Sequence, residues 1–354
     1  MNGFPSHRLA AIDAVKAIAS QLIVLHHLAF YGPMSDYVRP LAPGMVGWFA
    51  DHARLAVQAF IVVAGFLAAR ALAPEGVYAG RAPAAAIARR YARLAFPALA
   101  AILLAIVGAA VARAWMTHPS IPAPPTLAQV LAHALLLQDI LGFDSLSAGL
   151  WYVAIDFQLF TLLLVVLLMA RRHAPAAVAL LACVSLFAIN RQPQWDIWAP
   201  YFFGAYGLGA FAWWCARGAC RPAWGAVLAA ATLVALAIDF RTRIATALII
   251  ATLLYFWVRQ TRAWPVAPSV AWLGRIAYSV FLVHFPVCLV LNAAWTRFAP
   301  QTPWSAAIGI VAAWATSIAV GALFHRIVEA RTDAAVARLA AWGSGLRRAT
   351  AAAK

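Results

Sequence analysis

Three polar side chains stand inside otherwise apolar stretches of this sequence. His27, with His26 beside it, closes the run 9–31; Asp156 lies early in the run 150–170; His284 falls just before Pro286 in the run 270–292. Ionisable groups in such surroundings are costly, and each is by default a candidate for chemistry. An imidazole can take a proton from a hydroxyl or carry a transferred group, and a carboxylate can orient it. No nucleophile elbow, phosphate-cradling glycine loop or cysteine–histidine neighbour accompanies them. The residues point to acyl or phosphoryl transfer from a cytoplasmic donor, or to passage of an anion or proton.

Helical phase sorts the first run. At about 100° per residue, Asp13, Lys16, Ser20 and His27 fall on one stripe about 60° wide, whereas Gln21 and His26 face elsewhere. His27 is the better candidate base and His26 a lining residue. Asp13 and Lys16 either belong to the site or form an i,i+3 pair at the membrane entrance. Asp156 faces a cavity or pairs with a cation. It shares a helix face with Tyr152, one turn earlier.

Arg89, Arg90 and Arg93 precede Pro97, whose missing N–H frees the Arg93 carbonyl and favours a kink. Three guanidiniums at a helix entrance suit the phosphates of a nucleotide-bearing donor, and equally suit lipid headgroups.

The elements that must hold these residues follow from composition. Of 354 residues, 65% are hydrophobic and 11% charged, and the mean hydropathy is +0.82, which excludes a soluble domain, where charged residues make up about 25%. Runs able to cross about 30 Å of hydrocarbon occur near 9–31, 48–70, 94–115, 150–170, 174–190, 198–216, 223–239, 243–258, 270–292 and 304–325. The predicted fold class is all-α, a polytopic bundle of about ten transmembrane helices. The first run carries Asp13 and Lys16 and no cleavage pattern, so it is expected to stay in the mature protein. An apolar stretch at 127–141, after a proline-rich turn, reads as interfacial or re-entrant.

Ten spans with both termini in the cytoplasm put only Arg39, Arg54, Arg113, Arg191, Arg241, Arg243 and Arg297 outside, of 27 lysines and arginines. That asymmetry follows the positive-inside rule. The net charge of +16 is thus topology rather than a nucleic-acid surface. Residues 1–325 form the membrane domain and 326–354 a basic cytoplasmic tail. Cys183, Cys215, Cys220 and Cys288 lack the spacing of a disulfide framework or a zinc site, and no metal is expected.

Several segments, in order, resemble the membrane acyltransferase-3 family, bacterial O-acyltransferases that decorate surface polysaccharides. They are Arg8-Leu9 with Ile12-Asp13 through Ala19 and the pair His26-His27; Val57-Gln58-Ala59-Phe60 with Ala64-Gly65-Phe66-Leu67; Arg89-Arg90-Tyr91-Ala92-Arg93 through Pro97; Leu150-Trp151-Tyr152 with Asp156-Phe157-Gln158; and Ile276 through Pro286. Lys16 stands where the family usually has Arg, Asp156 where it usually has Glu, and Val63-Ala64-Gly65 where Leu-Ser-Gly is common. Larger relatives add an SGNH hydrolase-like domain, which this chain is expected to lack.

The resemblance implies a multi-pass bacterial inner-membrane enzyme that moves an acyl group, most simply acetyl, from acyl-CoA to a glycan hydroxyl, with no tightly bound cofactor. In it, Arg89, Arg90 and Arg93 would hold the CoA phosphates. His27 would be the base or transient acyl carrier, Asp156 or Asp13 its orienter, and Lys16 a counter-charge. His26, Trp151, Tyr152, Tyr278 and His284 would line the site. Its partners would be acyl-CoA, a lipid-linked or exported glycan and membrane lipid, with no nucleic acid. The alternative is a transporter or flippase for an anionic amphiphile or glycolipid, against which stands the absence of visible paired repeats; a non-catalytic export subunit comes third.

Overall fold

The computed structural model describes residues 6–80, 82–260, 265–339 and 341. Arg81, Arg262, Arg347, Arg348 and Lys354 of the expected cytoplasmic cations lie outside them, as do residues 340 and 342–354 of the expected tail. The described residues form helices and no strand. In chain order these are α1 (Ser6–Phe30), α2 (Pro33–Val38), α3 (Pro43–His52), α4 (Val57–Leu72), α5 (Pro83–Trp115), α6 (Leu127–Ala134) and α7 (Leu150–Ala170). They continue with α8 (Ala174–Phe187), α9 (Ala199–Arg217), α10 (Pro222–Ile238), α11 (Thr242–Arg259), α12 (Pro268–Phe298) and α13 (Pro303–Phe324).

Most expected runs coincide with helices to within a few residues. The second is broken into α3, a short 3-10 turn and α4. The third begins already at Pro83, because the alanine-rich stretch before the arginines favours helix and Pro83 suits a first turn. Arg89, Arg90 and Arg93 therefore lie on α5 itself rather than before it, and α5 runs on through Pro97. Among the described residues, seven segments are long and apolar enough to cross a membrane, one of them holding both α7 and α8. The chain is an all-α polytopic membrane protein. Helix α9 is not among the seven; it is rich in glycine and aromatic residues, and every residue from Tyr201 to Trp214 is buried.

Two seams organise the bundle. Along one, α4 meets α9 at backbone contact: a Cβ on Gly65 would run into the Tyr206 carbonyl, and one on Gly209 into the Val62 carbonyl. Small residues permit such approach where lipid offers no hydrophobic drive. Trp213 and Trp214 then donate their indole N–H groups to the Pro74 and Ala73 carbonyls at 3.2 and 2.7 Å, fixing the far ends. Along the other, α1 lies on α12, where Gly274 touches the Asp13 backbone. On its other side α12 meets α5, with the Pro286 backbone against Gly108. The expected re-entrant stretch contains α6, with a Thr126–Gln129 capping box. The Tyr91 hydroxyl of α5 donates to the Ala134 carbonyl at its end, 2.6 Å away.

Candidate functional site

The α1–α12 seam joins the two imidazoles. His27, near the end of α1, and His284, mid-way along α12, stack with ring centroids 4.7 Å apart, and His27 Nδ1 lies 2.7 Å from His284 Nε2. His284 Nδ1 is 3.3 Å from the Val280 carbonyl, which can only accept. His284 therefore carries its proton on Nδ1 and, as a neutral ring, offers Nε2 as an acceptor. His27 Nδ1 must then donate, which leaves the lone pair of neutral His27 on Nε2. His284 is 1% exposed, whereas His27 is only half-buried. His26 points away, its Nδ1 meeting the Phe49 carbonyl at 3.1 Å.

Asp156 was expected to orient His27, and the structure places it elsewhere. Its Oδ2 meets Arg90 Nη2 at 2.5 Å, with the carboxylate side chain 4% exposed. An ionised carboxylate in an apolar helix needs a cation, and α5 brings one to it. Arg90 also lies over the Phe160 ring, 5.3 Å from its centroid, so its guanidinium is not free at an open mouth as a phosphate clamp requires. Around the pair, Arg90 Nε, Asp156 Oδ1 and the Tyr206 hydroxyl are buried without hydrogen-bond partners among the described residues. Tyr278 donates to the Leu94 carbonyl at 2.9 Å, in the turn of α5 before Pro97.

Asp13 does not reach His27 either. It pairs with Lys16 at 3.0 Å, the local arrangement that i,i+3 spacing favours, and both are part-exposed. Of the remaining arginines, Arg89 is exposed, while Arg93 Nε meets Asp333 Oδ1 at 3.2 Å with both side chains about half exposed. The helix after α13 thus comes back onto the arginine-bearing end of α5. A five-residue π-turn, His325–Glu329, begins it. Glu329 accepts from the Ser279 hydroxyl at 2.5 Å and lies 3.0 Å from His325 Nδ1.

Between ion pair and imidazoles lies an aromatic layer. Tyr152 packs on Phe60 and Phe281 with centroids 5.9 and 5.5 Å away, and Phe281 lies 6.0 Å from His284. From Tyr278, which touches α5, to His284 is about 9 Å of helical rise along α12. Trp151 turns the other way, onto Phe202. The site thus comprises an imidazole pair, a layer of rings, then a neutralised ion pair, with two further cations near the end of α5.

In the sequence, Phe60 and Phe281 stand out only as parts of motifs, and the orienting role falls to the carboxylates rather than to His284. Gln58 likewise stands out there only as part of a motif.

A family model described as an acyltransferase domain matches residues 9–324. The search of curated proteins and the search of solved structures each returned no match.

Proposed function

The chain belongs to the acyltransferase-3 family, and on that premise we propose that this membrane acyltransferase moves an acyl group, most simply acetyl, from acyl-CoA to a glycan hydroxyl, with His27 as the base. The observation that carries the reading is the hydrogen bond from His27 to His284, which leaves His27 Nε2 with a lone pair. In the step, Nε2 removes the hydroxyl proton of the acceptor as its oxygen attacks the thioester carbonyl. The C–S bond then breaks, and the CoA sulfur leaves as a thiol with the proton returned by His27. His284 supports the imidazolium through the shared hydrogen bond and by fixing ring orientation. Arg89 and Arg93 are the cations disposed to meet donor phosphates; Arg90 holds Asp156 instead. The phosphates would bind at the end of α5 while the thioester reaches the imidazoles beyond the Tyr152 layer.

Detergent-purified protein incubated with radiolabelled acetyl-CoA and base-deacylated envelope polysaccharide of its host tests this. Label in the polysaccharide, matched by free CoA and lost in His27→Ala, supports the reading. Movement of glycan across vesicles without acylation would instead support a transporter.

A further inference from the structure

A cavity of about 810 Å³ opens where α4, α7, α9 and α11 begin. Its wall is made by Gln58, Trp151, Ile155, Tyr201 and Phe202, and Asp51, Asp139 and Asp196 stand around it. Gln58 is 7% exposed, and its amide, which lines the cavity, makes no hydrogen bond among the described residues. With the rest of the side chain buried, the amide's hydrogen-bonding capacity is directed into the cavity, where a ligand can meet it.

The charges around the cavity are not equally free. Arg241 Nη1 donates to Asn190 Oδ1 at 2.8 Å and its Nε pairs with Asp239 at 3.6 Å. Arg243 Nη2 donates to the Asn190 carbonyl at 2.8 Å, and its guanidinium lies 4.8 Å over the Tyr201 ring. Both are held by the protein, although Arg241 Nη2 is buried without a partner among the described residues. Arg54 lines the cavity too. Like Arg54, Asp51, Asp139 and Asp196 form no ion pair among the described residues; Asp139 Oδ2 accepts from Gln138 Nε2 at 2.8 Å, and burial pushes its carboxyl up. Carboxylates only accept hydrogen bonds. Three carboxylates outnumber the one lining cation without an ion pair, Arg54, so the best-matched ligand brings several donors, an apolar face for the Trp151, Tyr201 and Phe202 rings, and no net negative charge.

We infer that this cavity is the acceptor subsite and that it takes a neutral, polyhydroxylated sugar. Its hydroxyls donate to Asp139 and Asp196, its C–H face lies on the aromatic rings, and the Gln58 amide bonds the residue nearest the reaction. The cavity is joined to the chemistry through the chain itself. Trp151 lines it, and the next residue, Tyr152, packs on Phe281 beside His284. The inference rests on the acyl-transfer reading above.

Its test measures acetyl transfer from radiolabelled acetyl-CoA to base-deacylated envelope polysaccharide, titrating each in turn, for wild type and for Gln58→Ala, Asp139→Asn and Asp196→Asn. Elution as a single species in detergent establishes that each variant is folded. A lost hydrogen bond to a charged group is worth about 1.5–3 kcal/mol, so the polysaccharide needed for half-maximal rate should rise about tenfold or more in the aspartate variants. Acetyl-CoA half-saturation should follow wild type. An unmoved polysaccharide requirement overturns the subsite. A lowered requirement in the Asp→Asn variants overturns the neutral sugar, because removing a carboxylate helps only an anionic ligand. A wild-type protein that neither labels the polysaccharide nor releases CoA overturns the acyl-transfer reading itself, and the subsite with it.

Discussion

His27 Nδ1 and His284 Nε2 meet at 2.7 Å across 257 positions of chain, and the Val280 carbonyl at the far side of the pair dictates which nitrogen carries each proton. The two rings form a relay with a direction: carbonyl, His284, His27, open Nε2.

Loss of the two rings should therefore be unequal in kind. His27→Ala removes the proposed base and is expected to lower transfer by about 10²-fold or more. His284→Ala keeps the base but frees its tautomer and orientation, so it should lower kcat with little change in acyl-CoA KM and alter the pH profile. His26→Ala, which loses a bond to the Phe49 carbonyl and ring contacts with Phe30 and His27 but no part of the relay, should cost much less than either. Rates at matched protein level across pH check the ranking. Equal losses at His26 and His27 would refute the directional relay.

The Arg90–Asp156 pair predicts a double-mutant signature. Removing one partner strands a buried charge, which costs about 3–5 kcal/mol, so Arg90→Gln and Asp156→Asn should each lower the Tm sharply. The double variant should be more stable than either single one. Thermal unfolding in one detergent reads this directly, and simple additivity would contradict it.

Arg93 is paired with Asp333, and on the proposed reading a donor phosphate competes for it. Asp333→Asn should lower the acyl-CoA KM, whereas Arg93→Ala should raise it. Arg93→Lys should fall between, keeping charge without the planar fork. Because both partners are about half exposed, added salt should shrink these differences. Calorimetric titration with acyl-CoA at two ionic strengths distinguishes the outcomes; equal affinities across all three variants would show that the pair plays no part in donor binding.

His133 predicts a pH dependence outside the helical spans. Its Nδ1 is 2.8 Å from the Gln129 carbonyl, and its Nε2 accepts from the Leu146 N–H at 3.1 Å, so the ring is held neutral. Burial lowers its pKa from 6.5. A group with a depressed folded-state pKa binds more protons when unfolded, so its stabilising contribution is full above about pH 6.5 and declines as pH falls toward the folded value. Amide exchange around Leu146 should accelerate on acidification through that window in the wild type. The same acceleration in His133→Asn would assign the effect to another group.

The helices were legible because membrane spans are written locally, in runs of apolar residues about 20 long. The chemistry-bearing residues were legible for the converse reason, since His27, His284 and Asp156 interrupt such runs. Their pairings were not. That α1 lies along α12 depends on Gly274 receiving the Asp13 backbone, a complementarity between distant segments that no periodicity encodes. Asp156 visibly needed a cation, yet the sequence offers Lys16, Arg89, Arg90 and Arg93, and only the packing of α5 on α7 selects Arg90. Gln58 is polar but ordinary at the start of an apolar helix. Its lack of a partner becomes visible only with the cavity around it.

The neutralisation of Arg90 by Asp156 also has an electrical consequence. One elementary charge moved across a membrane under 100 mV exchanges about 2.3 kcal/mol with the field. Arg90 and Asp156 sit in segments long and apolar enough to span, but as a contact pair they present a dipole rather than a net charge. The resting pair therefore offers the potential no net charge of its own to pull upon. An energised membrane and a collapsed one should leave this part of the bundle in the same arrangement. In Asp156→Asn the guanidinium stands alone in that field, and the balance between conformations of the variant becomes voltage-dependent.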